Sequence, residues 1–382
     1  MAKRKNEAYW NASMNRWQIH VQADGVRKTF TSSKAYSKKT NKKGKIEAER
    51  KADEWLEAHT LDGSTRCSVL LDRYVKDVKA RTGTSNYVQV EKYCRLYIKP
   101  VIGAVKIEDL TEGHLQSVLN QARGHGKGNA GDHLAEKTLK GIRATMMQFL
   151  RFCRMYRFTT LHVEGLKIPS GAKKTTRTIL QPEDLTTLLT DSTTLWRGKV
   201  AEEPFIYAYR FAAVTGLRPG ELLGLQRRDV KDGIYTIRRA INEYGETTSG
   251  KNDNAARSGA LGEVAALILD QQEAMLRERG IVSPYVFPDV DGGVLMQKKY
   301  YSHWKRYCEY HKITEGATPY ELRHTWCSVN DEIPDGLRKM VMGHSKSMDT
   351  NGTYGHRKRG DMEKAAAFTD KAFAPYLKRG AG

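Results

Sequence analysis

Apolar residues recur along the chain in changing registers. In the first 60 residues they alternate, so Ala8–Trp10, Trp17–Gln22 and Arg27–Thr31 read as three short strands. Asn15 and Asp24-Gly25 mark the turns, the second being the stronger hairpin signal. Trp10, Trp17 and Phe30 are expected to form the sheet's apolar face, and Ile46, Trp55 and Leu56 to be apolar positions of a helix over 45–58. Lys34 to Lys45 reads either as a solvated loop or as a phosphate-contacting arm. From about 66 to 160 the spacing becomes helical. Val69, Tyr74 and Val78 open one helix that stops at Thr82-Gly83-Thr84. A second is expected over Ser85–Ile98, ending at Pro100, and a third from Leu110 to about Gln121. After a glycine-rich loop at 124–131, a long helix over 133–157 carries Leu139, Ile142, Met146, Phe149 and Phe152 on one face.

Residues 161–178 keep no apolar period and read as a linker of low contact density. Beyond Leu180, helices are expected at 182–191, 203–215, 219–225, 262–279, 297–311, 320–329, 334–342 and 362–376, with a small antiparallel sheet over 233–262. The expected fold class is therefore α+β and multidomain. A small three-stranded sheet with a helix (1–62) precedes an all-helical domain (63–160), a linker (161–178) and a mixed, mainly helical domain with a small antiparallel sheet (179–382).

Charge adds a partner to this outline. The 382 residues carry 64 Lys and Arg against 44 Asp and Glu, a net of +20, which points to a polyanion, most often nucleic acid. The first 60 residues hold 14 basic and 7 acidic side chains. Arg27, Lys28, Lys38 and Lys39 there, Arg143, Arg151 and Arg154 on the long helix, and Lys173 and Lys174 in the linker are nominated as DNA contacts. The longest apolar run, Val264–Leu269, is far short of the roughly 20 residues of a membrane span, and the N-terminus lacks the apolar stretch of a signal peptide. The five scattered cysteines contain no CxxC pair, which argues against a zinc ribbon or a disulfide scaffold. A soluble intracellular protein, without a membrane partner, is expected.

Five short stretches in the C-terminal half concentrate chemistry. They are Thr215-Gly-Leu-Arg218-Pro-Gly-Glu221, Lys251 with Arg257 and Leu261, Thr318-Pro-Tyr320-Glu-Leu-Arg323-His324, Met342-Gly-His344-Ser345, and Thr353-Tyr354-Gly-His356. Their order and spacing over about 180–360 resemble the tyrosine recombinase (phage integrase) family. More weakly, residues 1–60 resemble the arm-type DNA-binding domain of conjugative-transposon integrases, and 66–160 the family's helical core-binding domain.

The chemistry of phosphoryl transfer fits the residue types. In-line attack on a phosphodiester builds charge on the non-bridging oxygens, which guanidinium forks stabilise better than ammonium groups do. The resemblance implies that Arg218 and Arg323 form such a clamp and that Tyr354 is the nucleophile. It further implies that Lys251 protonates the leaving 5′ oxygen and that His344 hydrogen-bonds the phosphate. An unperturbed phenol is only about one part in a thousand ionised near neutral pH, so Tyr354 needs cations or a base beside it. Tyr320 stands where the family usually has His, and a protonated phenol is a poor base. Glu221 is expected to position its helix by internal pairing, and His324 to take a buried supporting role.

The resemblance implies strand transfer through a 3′-phosphotyrosyl bond and a Holliday junction, by four protomers on double-stranded DNA with core sites and separate arm sites. The setting would be a prokaryotic cytoplasm, with room for an excision factor or DNA-bending protein. The energy of the broken bond is kept in the new ester, so no cofactor is implied. Two alternatives stand beside it: a type IB topoisomerase, against which the small N-terminal unit argues, and a catalytically silent DNA-binding regulator. Asp289 with Asp291 reads as a turn, and His303, Cys308 and His311 fit no common zinc spacing, so no metal is expected. The segment Asp361–Leu377 is expected to pack either on its own domain or on a neighbouring protomer.

Overall fold

Alternation in Arg16–Ala23 (β2) places Ile19 and Val21 on one side and Gln18, His20 and Gln22 on the other. The computed structural model describes residues 4–377 apart from 5, 24–25, 60–61, 125–132, 173–177, 249–256, 344–357 and 359. In it β2 pairs antiparallel with Tyr9–Asn11 (β1) on one edge and Val26–Thr31 (β3) on the other. The helix Lys42–His59 (α1) covers the inner face, where Ala8, Ile19, Val21, Ala48, Ala52, Trp55 and Leu56 form a core. Two expectations are corrected here. Ile46 is 62% exposed, because the helix turns its small residues Ala48 and Ala52 to the sheet. Trp10 stays half-buried, edge-on to Trp17, while Ile19 and Val21 take the centre. The supposed loop at Lys34–Lys45 contains a 3-10 turn at Lys34–Tyr36 and the first turn of α1.

The helical region has its own core. Cys67–Arg81 (α2), Thr84–Tyr93 (α3), Lys99–Ile102 (α4), Glu112–Arg123 (α5) and Glu136–Met155 (α6) bury residues such as Tyr74, Ile98, Leu115, Met146 and Phe149. Val69 faces outward and Leu70 and Leu71 face the core, one position on from the expected register. Nor does Pro100 stop the chain. A π-helical stretch, Cys94–Ile98, joins α3 to α4, and the proline sits in the first turn of α4, where a missing N–H costs least.

The expected linker is the largest correction. Over 161–172 it is fastened to the helical region: Leu166 is buried in that core, with Leu161, Val163 and Ile168 packed beside it. Gln116 donates to Lys167 O at 2.9 Å and accepts from Lys167 N at 2.9 Å, and Glu112 accepts from Gly165 N at 2.9 Å. Arg143 donates to Leu166 O at 3.2 Å and Arg154 to Leu161 O at 2.9 Å. Its few apolar anchors follow no helical or strand period, and its other anchors are backbone groups.

By contacts the chain divides into Met1–Thr175 and Thr176–Gly382. In the second unit a largely apolar helix, Ile206–Thr215 (α8), is the hub. Around it lie Pro182–Thr190 (α7), Glu263–Glu278 (α10), Gln297–His311 (α11) and Glu321–Val329 (α12). The strands Val230–Lys231 (β6), Ile234–Ile237 (β7) and Arg257–Ala260 (β10) form one sheet in the order β10-β7-β6, and Ala240–Ile241 (β8) pairs with Thr247–Thr248 (β9). A hairpin of Thr193–Trp196 (β4) and Lys199–Glu202 (β5) was not expected. Its turn places Arg197 and Gly198 at positive φ, and the arginine hides the usual Asn-Gly signal.

Pro219–Leu223 (α9) and Asp335–Met342 (α13) complete the site region. Asp361–Leu377 (α14) packs on its own unit: Phe373 is fully buried, and Asp370 accepts from Glu263 N at 2.7 Å and Val264 N at 3.0 Å, capping α10. All five cysteines are free. No helix among the described residues is long and apolar enough to cross a membrane.

Candidate active site

The chain segment around Arg218 is shaped by a helix end and a helix start. Gly216 ends α8 at φ +64, and a Cβ there would meet the Trp326 ring at 2.9 Å, so only glycine fits. Leu217 is buried, and Arg218 becomes the N-cap of α9, with Pro219 in the first turn. Glu221 reaches back three residues, its Oε2 accepting from Arg218 N at 2.9 Å and its Oε1 from Arg218 Nη1 at 2.8 Å. This is half of a capping box: Glu221 caps the Arg218 N–H, and the arginine side chain, which has no acceptor, donates to the same carboxylate instead. The Arg218 side chain remains 36% exposed.

Arg323 comes from the opposite side, on α12. It is buried and donates through Nη1 to Gly216 O at 2.7 Å and through Nη2 to Met342 O. One guanidinium thus joins the end of α8 to the end of α13. Burial, and then the charge of Arg218, pull its pKa down from the usual value. Because Arg323 bonds the carbonyl of Gly216, two residues before Arg218, the two cations belong to one short stretch of backbone.

A third arginine, used in the sequence only as a spacing marker, completes the arrangement. Arg257 opens β10 opposite Ile237 and is buried. Its Nη1 and Nη2 donate to Glu221 Oε1 and Oε2 at 2.8 and 2.7 Å, and its Nε to Val341 O at 2.9 Å. Burial alone would raise the Glu221 pKa, but Arg257 and then Arg218 outweigh it and hold the carboxyl down at about 2. Among the described residues, these three guanidiniums and one carboxylate carry a net of +2. In the sequence Arg257 marked only the offset of Lys251; its partner Glu221 lies 36 residues away.

Tyr320 stands at the N-cap of α12, 39% exposed, its ring edge-on to His324 at 5.2 Å. His324 is half-buried, more open than the buried place expected for it. Thr318 bonds to Glu321 and fixes the start of α12. Lys251, His344 and Tyr354 lie outside the described residues, as do Lys173 and Lys174.

The nominated DNA contacts divide by environment. Arg27, Lys38, Lys39 and Arg151 are exposed. Lys28 is exposed too, but it lies on the α1 side of its strand, its ammonium 5.7 Å from the Phe30 ring and 5.9 Å from that of Trp55. Arg143 and Arg154 are half-buried and already engaged with the strap carbonyls.

Among the described residues no group of three His, Cys, Asp or Glu side chains could hold a metal ion. Asp289 pairs with Lys299 in a turn closed by Gly292 N to Asp289 O, and His303 faces the buried Glu203 carboxylate at 3.2 Å.

Comparison with known proteins places this geometry. Residues 179–360 match the phage integrase family, and 68–122 match the phage integrase N-terminal SAM-like domain. The fold is similar to that of the Tn1549 transposon integrase in complex with a circular intermediate DNA. That match has a TM-score of 0.64 and 14% identity, over 79% of this chain and 98% of the other. It is also similar to a lambda integrase tetramer bound to a Holliday junction, with a TM-score of 0.56 and 16% identity over 94% and 99% of the two chains. No curated protein matches the sequence. The two matched segments together span more than half of the residues, and the chain belongs to the phage integrase family.

Proposed function

We propose that this protein is a site-specific DNA recombinase that integrates and excises a mobile element. The observation that carries the reading is the pairing of Arg218 and Arg323. They lie 105 residues apart in sequence, yet Arg323 bonds the Gly216 carbonyl just before Arg218, which brings two cations suited to a phosphodiester together. The half-exposed Arg218 offers its fork to one non-bridging oxygen, and Arg323 supplies charge from beneath. The Tyr354 oxygen attacks phosphorus, the P–O5′ bond breaks, and a 3′-phosphotyrosyl ester forms. Lys251 gives a proton to the departing 5′ oxygen, and His344 hydrogen-bonds the phosphate. A 5′-hydroxyl from the partner strand then attacks the ester and releases Tyr354. With a phenol at position 320, activation of Tyr354 rests on the arginines more than on a general base.

Residues 63–160 and 179–382 serve as the two domains that hold the core-site duplex. Residues 1–62 read a separate arm site through the outward face of the sheet, where Gln18, His20, Gln22 and Arg27 lie together. The likeness to a DNA-bound transposon integrase and to an integrase tetramer on a Holliday junction supports four protomers exchanging strands of a transposon-type element.

The test is a nicked suicide duplex carrying the element's end. A covalent protein–DNA adduct is expected from the wild-type chain and none from Tyr354→Phe. An adduct of equal yield in Tyr354→Phe refutes the nucleophile assignment.

A further inference from the structure

The four donors on Glu221 are unequal. Arg257 grips both oxygens with a planar fork and is itself only 3% exposed, so it cannot reach a ligand. Arg218 adds one side-chain bond to a single oxygen and faces solvent. With the Arg218 backbone N–H, the two oxygens accept four hydrogen bonds and are saturated. Among the described residues, a buried carboxylate that lost the fork would be left with Arg218 as its hydrogen-bonded cation and would draw that side chain fully onto itself.

We propose that Arg257 is a positioning residue of the reaction: by occupying both oxygens of Glu221, it keeps the charge of Arg218 available for the scissile phosphate. This rests on the reading above, in which Arg218 binds that phosphate. Arg257 acts only through its neighbours. Its Nε also fixes Val341 O, three residues ahead of His344 in sequence. Gly343, at φ +60, has no Cβ to meet the Arg257 side chain, which lies 3.0 Å from where that atom would be. Arg257 itself follows Lys251 by six residues. One buried side chain thus ties the Arg218 helix start to the end of α13.

The test is single-turnover cleavage of the suicide duplex at saturating DNA, with DNA affinity measured in parallel. Arg257→Met is expected to cleave about 100-fold more slowly at unchanged affinity, the scale of losing one charge-stabilising donor. Glu221→Gln/Arg257→Met removes the excess negative charge as well and is expected to regain about tenfold of that loss. A double variant no faster than Arg257→Met overturns the proposal, because a merely structural role predicts no rescue. Wild-type speed in Arg257→Lys, which lacks the fork, also overturns it.

Should Arg257→Met fail to fold, as judged by thermal melting, the double variant is compared with Glu221→Gln. With Glu221 neutral, equal rates are expected, and a further tenfold loss in the double overturns the proposal. A wild-type chain that forms no adduct removes the recombinase reading and this proposal with it. A wild-type adduct without rescue removes the proposal alone.

Discussion

Two sets of arginines differ in depth and in partners: Arg143 and Arg154 are half-buried, whereas Arg257 and Arg323 are buried beside the half-exposed Arg218. In the helical region Arg143 and Arg154 donate to carbonyl oxygens of a single strap, so their hydrogen bonds are spent on neutral acceptors within the unit. In the second unit Arg218, Arg257 and Arg323 share one carboxylate and a few carbonyls, so charge outruns the groups that would balance it. Buried cations in excess are costly, and in the proposed function the phosphodiester is the anion that balances them. What separates the two sets is convergence: Arg143 and Arg154 are spread along one helix and each holds a carbonyl, whereas Arg218 and Arg257 meet on one carboxylate with Arg323 bonded to the backbone two residues before Arg218.

The sharpest way to break this contrast is to compare Arg218 with Arg323. Arg323→Ala removes the proposed phosphate cation and unties Gly216 from Met342, taking a donor from each of two buried carbonyls. It is expected to lose cleavage by at least about 1000-fold and to melt several degrees lower. Arg218→Ala removes a half-exposed side chain and is expected to lose cleavage by about 100- to 1000-fold with melting nearly unchanged. Adduct formation and thermal unfolding of both variants check this, and cleavage by Arg218→Ala within tenfold of wild type would break the clamp.

Next in size is the shared carboxylate. Its pKa falls from an ordinary 4.5 to about 2 in the folded chain, against the opposing effect of burial and through the fork of Arg257 and the charge of Arg218. The folded value lies below the unfolded one, so the stabilisation is complete above about pH 4.5 and is lost as pH falls through about 2. Glu221→Gln is expected to cost on the order of 3 kcal/mol at neutral pH, the gap closing through that acid window. Denaturant melts of both chains at several pH values test it, and a gap independent of pH would assign the loss to packing.

What the sequence disclosed follows from the range of the forces involved. Helices such as α7 and α11 carry local signals, a Pro-Glu-Asp start in one and an apolar stripe in the other, and their residues are set within a few neighbours. The order of the five motifs, with Arg218 and Arg323 among them, was equally legible because residue type and spacing carry it. The grip of Arg257 on Glu221 was not, since it depends on β10 pairing with β7 and on α9 lying beside them. The attachment of 161–172 was missed because its few apolar anchors, Leu161, Val163, Leu166 and Ile168, follow no helical or strand period, and its other anchors are backbone N–H and C=O groups, which nearly every residue possesses. Ile46 and Val69 misled for a simpler reason: an apolar side chain on a helix need not face the core.

The smallest effects separate charge held within the unit from charge left at the surface. Arg151 is exposed on α6, close in sequence to Arg143 and Arg154 on the same helix. Arg151→Ala is expected to leave stability unchanged and to lower the slope of log affinity for DNA against log salt by roughly one. Arg143→Ala and Arg154→Ala are expected to leave that slope nearly intact. Each costs about 1 kcal/mol through a lost hydrogen bond to the strap, and each speeds hydrogen exchange over 161–172. Equal salt slopes lost in all three variants would mean that the strap bonds give way to phosphate when DNA binds. The division between spent and available arginines would then hold only for the free protein.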